Sequence, residues 1–365
     1  MCRWQRRPGR VLGNNENGQL GADPSAVPLS VRARLVAELP ATKAVAAGFR
    51  HTCALSRQGE VWCWGAIATS AGSYVGQLGH GINAGQSTPH LVAGLPAVAA
   101  VVASGLSNCA ALGSGEVRCW GFGGSGEMGN GTRPFAQLEP ASSVSAPSFG
   151  HVTALFAGAS HFCAIVSAGR EVWCWGSNTQ FQTGSTSAGG SQSTPVRAGA
   201  LGDASSLALG ANSSCAQLDD ATVWCWGNGP AAANCTTDPG PPPSTSCTAT
   251  AEPRLRAAFS ASAIFGGMGQ ICGQLTNTGR LSCLGNGSKG RLGDGVDHGI
   301  FFVQTLRSLV APAEAAVAID FGMNNGCALM AAGTVACWGV NGSGSTGDGT
   351  QITSSPERPV LIAAP

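Results

Sequence analysis

The sequence is poor in charged residues and in tyrosine. Asp, Glu, Lys and Arg make up 11% of the 365 residues, and there is one tyrosine, whereas an average soluble domain is roughly 25% charged. The formal net charge of +1 gives no overall field that would attract nucleic acid or anionic lipid. No apolar run approaches the roughly 18 residues of a membrane span. We therefore expect no nucleic-acid partner, no membrane-spanning segment and a monomer.

The sequence also lacks the motifs of common enzyme classes. It contains no GxSxG, no HExxH, no Gly-Lys-Ser/Thr phosphate loop and no Ser-x-Asp-x-Gly-x-x-Trp box of the sialidase type. Its 19 carboxylates are scattered and suggest no acid–base pair. Asp294-Gly295 and Asp348-Gly349 lack the alternating acids and closing glutamate of an EF-hand, so we interpret them as turns. We predict a protein that is not an enzyme and has no cofactor or metal.

What the sequence does contain is a unit repeated about every 55 residues. Successive first cysteines of the unit are 56, 54, 52, 57 and 55 residues apart, so the chain could hold about 6.7 units. Fixed-period similarity indicates stacked supersecondary units. Both faces of the strand containing Val61-Trp62-Cys63-Trp64 are apolar, and a radial array of sheets would cover both. The complete units begin near residues 45, 101, 155, 207, 264 and 319.

Each complete unit has two cysteines 10 or 11 residues apart. Cys53 and Cys63 are symmetric about residue 58, so a hairpin turning there would place them opposite each other at a distance that suits a disulfide. Zinc favours CxxC spacing, which is absent. We predict disulfides within the six units and a seventh in a proline-rich loop. The pairs are Cys53–Cys63, Cys109–Cys119, Cys163–Cys174, Cys215–Cys225, Cys272–Cys283, Cys327–Cys337 and Cys235–Cys247.

The organisation along the chain follows from these units. Residues 1–10 are expected to be a ragged basic terminus, residues 11–365 a single domain, and residues 230–250 a proline-rich insertion. Gly13–Gly21 reads as the return half of an incomplete first unit. Regular cysteine pairs indicate an oxidising compartment, yet no signal peptide is visible. We therefore expect an extracellular, cell-surface or periplasmic protein whose true N-terminus lies upstream.

Two sets of residues recur at fixed positions of the unit. His51 and His161 share their position with Ser107, Ser213, Gln270 and Asn325. This set could form a polar ring that binds a ligand, or it could satisfy backbone groups at strand ends; we favour the structural interpretation. The second set consists of tryptophans that we expect in the core. They are Trp64, Trp120, Trp175, Trp226 and Trp338.

These units resemble the regulator of chromosome condensation repeat family. The matching elements are a small-Gly stretch, His-Thr-Cys-Ala-Leu, Gly-x-Val-x-Cys-Trp-Gly and Gly-Gln-Leu-Gly-x-Gly. The resemblance implies an all-β, seven-bladed β-propeller with four-stranded antiparallel blades, six of them with a hairpin disulfide and the first incomplete. It also implies that the C-terminal Arg358–Ile362 closes the ring with the first blade. The cysteine pairing resembles that of exported bacterial members of the family.

The function expected from these features is that of a non-catalytic scaffold binding an unknown protein through loops at one rim. The three loops that differ most between units are 66–74, 180–193 and 235–247, represented by Tyr74, Phe181 and Pro241. Two alternatives remain open. The family resemblance alone implies a guanine-nucleotide exchange factor for a small GTPase, and the propeller fold would also suit a glycan-binding protein.

Overall fold

The structure is a computed structural model in which the strands form six large sheets and two ribbons. It describes residues 10–66, 75–141, 143–187, 190–229, 234–238, 244–256, 259–278, 280–298, 302–309, 316–322, 324–352 and 360–362. Each large sheet is one blade of a propeller. In each blade the strands are named A to D outwards from the central channel, whose wall is formed by the A strands.

Five blades have four antiparallel strands, and the second has three. In the second blade the place of strand D is taken by a single bridge between Gly121 and Gln137. The strands of the first three blades are β3 (Thr42–Ala47), β4 (His51–Ser56), β5 (Val61–Gly65) and β6 (Gln86–Leu91); β7 (Val98–Ala103), β8 (Ser107–Leu112) and β9 (Val117–Gly121); and β10 (Val152–Ala157), β11 (His161–Val166), β12 (Val172–Ser177) and β13 (Ser191–Arg197).

The last three blades follow the same order. Their strands are β14 (Ala204–Leu209), β15 (Ser213–Leu218), β16 (Val223–Gly227) and β19 (Thr250–Leu255); β20 (Ala261–Gly266), β21 (Gln270–Leu275), β22 (Leu281–Asn286) and β23 (Phe302–Ser308); and β24 (Ala316–Phe321), β25 (Asn325–Met330), β26 (Val335–Gly339) and β27 (Val360–Ile362). One ribbon, β17 (Asn234–Asp238) with β18 (Ser244–Thr248), is inserted in the fourth blade. Among the described residues, no helix is long and apolar enough to cross a membrane.

The prediction of seven blades is wrong. The described residues form six blades, and the segment predicted as an incomplete first blade forms a separate two-stranded ribbon of β1 (Arg10–Asn14) and β2 (Leu29–Leu35). Its tip has the expected return turn, closed by the Gly21 N–H donating to the Gly18 carbonyl at 3.0 Å. Such a turn forms locally, whereas a blade also needs an inner hairpin. The return motif recurs without a complete blade at Gly13–Gly21, so counting these motifs predicted one blade too many.

The β1–β2 ribbon lies between the first and sixth blades. The Trp64 Nε1–H of the first blade donates to the Gln19 carbonyl at 3.0 Å, and the Gly349 N–H of the sixth donates to the Val31 carbonyl at 3.2 Å. The C-terminal strand does not pair with this ribbon as predicted. Val360 pairs with Cys337 in its own blade, so the last blade supplies its own outer strand.

The six hairpin disulfides are confirmed. In every complete unit the two cysteines are direct partners in the B–C register, and their Cα atoms are 4.0 to 4.1 Å apart. All twelve of these cysteines are buried. Cys235 and Cys247 are also backbone partners, in the β17–β18 ribbon, but their side chains lie outside the described residues. That seventh disulfide stays a prediction.

The core lies between neighbouring blades, and the recurring tryptophans occupy it as predicted. All five tryptophans of the set are fully buried. Four of them also bind the preceding unit, because the indole N–H donates to a backbone carbonyl in its return turn. These bonds are Trp64 to Gln19, Trp175 to Glu127 and Trp226 to Gln182 at 3.0 Å, and Trp338 to Arg291 at 2.8 Å. Each of these four tryptophans thus joins apolar burial to one directed contact between units.

Candidate protein-binding face and central channel

The propeller has two ends with different loops. At one end, here called the top face, the A–B turns lie beside the C–D connections. The first residue after strand C donates its N–H to the A–B turn, as from Ala66 to Arg50 at 2.6 Å and from Phe122 to Leu106 at 3.0 Å. The opposite end, the bottom face, carries the B–C turns and the D–A connections. All three predicted binding loops fall between strands C and D of their blades, so the described ends of those strands that flank them lie at the top face.

Exposed apolar side chains are concentrated on the top face. Nine large apolar residues are exposed among the described residues, and five of them lie in A–B turns or C–D connections. The five residues of the top face are Phe49, Ile82, Phe135, Val296 and Ile352. The other four exposed apolar residues lie on outer strands or at the start of β24. Contiguous exposed apolar patches mark protein-interaction sites, and these five side chains are the exposed apolar surface that the top face offers to a partner.

Ion pairs are concentrated at the bottom face instead. Arg170 in a B–C turn contacts Asp219 in the next B–C turn, with Nη1 donating to Oδ1 at 2.7 Å, and its Nη2 lies 3.6 Å from Asp203 Oδ1. Arg118 and Glu116 pair at 3.0 Å near another B–C turn. A surface held by such pairs is strongly hydrated. The two ends therefore offer different chemistry, and the top face is the better candidate for binding a protein.

The three loop residues predicted for binding have different outcomes. Tyr74 and Pro241 lie outside the described residues. Phe181 is half-buried and has a φ of 59°, in the return turn of the third unit, where its N–H donates to the Asn178 carbonyl at 3.1 Å. The first part of loop 180–193 therefore has the regular repeat geometry rather than a variable one. A role for Phe181 in binding stays a prediction.

A buried asparagine organises three of the return loops, and sequence reasoning missed it. Asn178 is fully buried. Its Nδ2 donates to the Ser185 and Ser187 carbonyls, each at 3.2 Å, and its Oδ1 accepts from the Thr183 N–H at 3.0 Å. Asn15 and Asn341 do the same in their loops. The sequence signal is an asparagine two residues after a glycine at or near the end of a strand, as at Gly13, Gly176 and Gly339.

The polar ring is structural in the two blades that have histidine. His51 and His161 are buried, and their Nε2 atoms lie 2.9 Å from Asn108 Oδ1 and Ser214 Oγ of the following blade. A Cβ on Gly158 would collide with the ring of His161, so glycine is needed in that A–B turn. These histidines contact the neighbouring blade and do not line an open site.

Burial changes the pKa of His51, His161 and Glu127. Burial lowers the pKa of His51 to about 4, although the hydrogen bond to Asn108 raises it, and burial lowers the pKa of His161 to about 3. Both rings are therefore neutral near pH 7. Burial raises the pKa of Glu127 to about 7. Glu127 occupies the place of Gln19, Gln77 and Gln182 in the return turn, and like them it accepts a backbone N–H two residues upstream.

The central channel consists of two adjoining cavities of about 420 and 410 Å³. The inner one is lined by the A strands, mostly by small or apolar residues, and the other opens at the top face beside the A–B turns. Asp320 on β24 is the one charged residue lining either cavity in the described part of the chain. Its Oδ1 accepts the Phe321 N–H at 2.9 Å. The channel is therefore lined by small and apolar side chains together with polar groups, and Asp320 is its one charged side chain among the described residues.

The described residues contain no cluster of three or more histidine, cysteine or acidic side chains that could hold a metal ion. Asp348, one of the two Asp-Gly positions, uses Oδ1 within its turn: it accepts the Thr350 N–H at 2.8 Å and the Asn341 Nδ2–H at 3.2 Å. Asp294 Oδ2 lies 2.7 Å from His298 Nε2. Both carboxylates are thus engaged within their own loops.

Comparison with known proteins identifies the repeat. Residues 43–66 and 152–182 match the family described as "Regulator of chromosome condensation (RCC1) repeat". These ranges cover the A–B–C hairpin of the first blade and most of the third. These two segments of the chain are similar to RCC1 repeats. The match agrees with the recurrence of the same hairpin, tryptophan and glycine-rich turn around the propeller.

The curated relatives are longer proteins. The chain is 31% identical over 191 residues to the mitochondrial RCC1 domain-containing protein RUG3 of Arabidopsis thaliana, covering 52% of this chain and 38% of RUG3. It is 28% identical over 378 residues to the human E3 ubiquitin-protein ligase HERC2, covering 96% of this chain and 7% of HERC2. The chain thus spans well under half the length of both relatives.

Solved structures show the same fold. Prp20p of Saccharomyces cerevisiae, described with its binding properties to Gsp1p and histones, superposes with a TM-score of 0.80 at 20% identity, over 99% of this chain and 86% of Prp20p. The same yeast protein has been solved with Kap60 bound. At this identity the similarity establishes the RCC1-like propeller fold and nothing finer.

Proposed function

We propose that this RCC1-repeat propeller is a non-catalytic scaffold that binds another protein through its top face. The observation that carries the proposal is the concentration of exposed Phe49, Ile82, Phe135, Val296 and Ile352 at that end. Phe135 is 66% exposed and Ile82 is 60% exposed. Each would bury much apolar surface against a partner, which favours binding. Prp20p, which has the same fold, is described with its binding to Gsp1p and histones and with Kap60 bound, which supports the proposal.

The scaffold is further proposed to work in an oxidising compartment: outside the cell, at its surface or in a periplasm. Six buried hairpin disulfides support this, because such bonds persist where thiols are not kept reduced. The test is to alkylate free thiols in intact host cells before lysis, to fractionate the cells, and to count by mass spectrometry the cysteines that were protected from alkylation by a disulfide. We expect the protein in an exported fraction, with twelve or more cysteines joined in disulfides and therefore not alkylated. A fully alkylated, reduced protein in the cytosol would contradict this location.

The binding face is tested with a matched pair of variants. One variant carries Phe49→Ser, Ile82→Ser and Phe135→Ser on the top face, and the control carries Leu91→Ser and Leu255→Ser on outer strands, which are 40% and 47% exposed. Both sets remove exposed apolar surface, and equal thermal midpoints would show that both variants fold. Cross-linking in host cells with quantitative mass spectrometry should recover a partner with the wild type and the control only. Equal recovery by all three proteins would contradict the proposal.

A second candidate function is regulation of a small GTPase. The similarity in fold to Prp20p, described with its binding to Gsp1p, is the observation that favours it. The test is release of a fluorescent GDP analogue from small GTPases of the same organism, with and without the propeller. Acceleration that the top-face variant abolishes would support this function, whereas unchanged release across the set would leave the scaffold function alone.

A further inference from the structure

A third cavity lies where the β1–β2 ribbon meets the sixth blade. Its wall consists of β1 and Ala33 of β2 on one side and of residues from β25 and β26 on the other, with Ala47 at the end of β3 between them. Its volume is about 180 Å³. An apolar cavity of about 150 Å³ in another protein takes up benzene, so this one is large enough for a ligand of about seven non-hydrogen atoms.

The cavity has one charged residue in its described lining. Arg10 is the first residue of β1 and is half-buried. Its Nη1 donates to the Ala33 carbonyl at 3.2 Å, whereas its Nε is shielded from solvent and has no acceptor. None of the ion pairs among the described residues includes Arg10. A shielded donor without an acceptor costs free energy, and an anion bound beside it would remove that cost.

The walls select the kind of anion. Leu12, Ala33 and Val335 give the cavity apolar surface, and the neutral polar residues that line it include Asn14 at the far end of β1. A carboxylate matches the planar fork of a guanidinium group. Apolar walls would gain nothing from an inorganic anion such as sulfate, but they would gain from covering an aliphatic chain.

We propose that this cavity binds a short aliphatic carboxylate, with the carboxylate at the Arg10 guanidinium and the chain against the apolar wall that includes Leu12 and Val335. The volume fits an acid of about four to six carbons. None of the five exposed apolar residues of the top face lines this cavity. The carboxylate site and the proposed binding of a protein therefore stand or fall separately.

The test uses the full disulfide-bonded chain and calorimetric titration with sodium pentanoate. Pentanamide is the neutral probe of the same size, and sodium sulfate is the anion without a chain. Pentanoate should bind with one equivalent and at least about tenfold tighter than either, since hydrogen bonds to charged groups discriminate by that order. No binding of pentanoate, or an affinity equal to that of pentanamide or of sulfate, would overturn the proposal.

Variants locate the binding beside Arg10. Arg10→Gln removes the charge and should weaken pentanoate binding by about tenfold or more. Arg34→Gln is the matched control: Arg34 lies on β2 of the same ribbon and its Nε is likewise shielded without an acceptor, but it does not line the cavity. This control should bind as the wild type does. Unchanged affinity in Arg10→Gln, or an equal loss in both variants, would overturn the proposal.

A second variant and a series of acids test the enclosure of the chain. Ala33→Leu fills the cavity and keeps Arg10, so it should abolish binding of pentanoate; a thermal midpoint close to that of the wild type would show that it folds. From propanoate to pentanoate the affinity should rise by about threefold to fourfold per methylene, and decanoate should bind more weakly than pentanoate. Full binding by Ala33→Leu, or a steady rise through decanoate, would overturn the proposal.

Discussion

His51 donates from Nε2 to Asn108 Oδ1 of the next blade at 2.9 Å. The direction follows from the second bond of Asn108, whose Nδ2 donates to the Gln77 carbonyl at 2.8 Å. His161 repeats the arrangement, because Ser214 Oγ donates to the Gln182 carbonyl at 2.8 Å and accepts from the histidine. A neutral histidine therefore bonds to a residue of the next blade, which in turn holds the return turn of the histidine's own unit.

These two histidines should make the fold sensitive to acid. Their folded-state pKa values, about 4 for His51 and about 3 for His161, lie below the roughly 6.5 of an unfolded histidine. The unfolded state thus binds more protons as the pH falls below 6.5, and stability is lost down to the folded pKa. The expected loss is on the order of 3 kcal/mol per histidine, measurable by urea unfolding at pH 7 and pH 4.5.

The control for the acid effect is His51→Gln, whose amide can still donate to Asn108. This variant should lose less stability than the wild type between pH 7 and pH 4.5, even if it is less stable at pH 7. His298→Gln serves as a comparison, because it replaces a histidine that lies in a C–D connection and contacts Asp294 rather than a neighbouring blade. An identical pH dependence of the wild type and His51→Gln would contradict the burial of a neutral ring.

Glu127 should act in the opposite direction. Burial raises its folded pKa to about 7, above the usual value of about 4.3, so the folded state holds a proton that the unfolded state has lost. Its contribution to stability is therefore present at low pH and is lost as the pH rises from about 4.3 through 7. Glu127→Gln restores the residue of the other return turns, and it should raise the thermal midpoint at pH 8 but hardly at pH 4.

The reciprocal change provides the matched control. Gln77 makes the same bond as Glu127, since its Oε1 accepts the Val75 N–H at 2.8 Å. Gln77→Glu should therefore make the protein less stable at pH 8 than at pH 5, by an amount that differential scanning calorimetry can resolve. If both variants behave as the wild type does at every pH, the carboxyl of Glu127 is more hydrated than the structure indicates.

The parts of the fold that depend on local pattern could be predicted, and the parts that depend on assembly could not. Alternation and a nearly symmetric turn fix the register of the hairpin, so Cys53 falls opposite Cys63. The number of blades does not follow in the same way, because the turn at Gly18–Gly21 forms without an inner hairpin behind it.

Disulfide reduction should lower the stability strongly. Each bridge closes a loop of about ten residues, which by chain entropy contributes on the order of 2 to 3 kcal/mol. The double variant Cys215→Ala, Cys225→Ala removes one buried bridge of the fourth blade, and its free energy of unfolding should fall by about that amount. Thermal melting of the wild type under strong reductant, with thiols counted, should show a much larger fall. An unchanged midpoint with all thiols free would contradict a stabilising role.

The thiol count also tests the predicted Cys235–Cys247 bridge. The chain has 15 cysteines, and twelve are in the six observed disulfides. The fully oxidised protein should therefore show one reactive thiol after denaturation if Cys235 and Cys247 are joined. Three reactive thiols would mean that the two opposed strands β17 and β18 carry no covalent bond. Peptide mapping without reduction would identify the pair directly.

Asn178 should be essential to the stability of its loop. Alanine at this position would leave the buried Thr183 N–H and the more exposed Ser185 and Ser187 carbonyls without their partner, and an unsatisfied buried group costs about 1 to 3 kcal/mol. Asn130→Ala is the matched control, because Asn130 caps a more exposed turn through Thr132. We expect Asn178→Ala to lower the free energy of unfolding by about 3 kcal/mol and Asn130→Ala to lower it far less. Equal effects would show that the buried asparagine is no more important to the propeller than an ordinary turn residue.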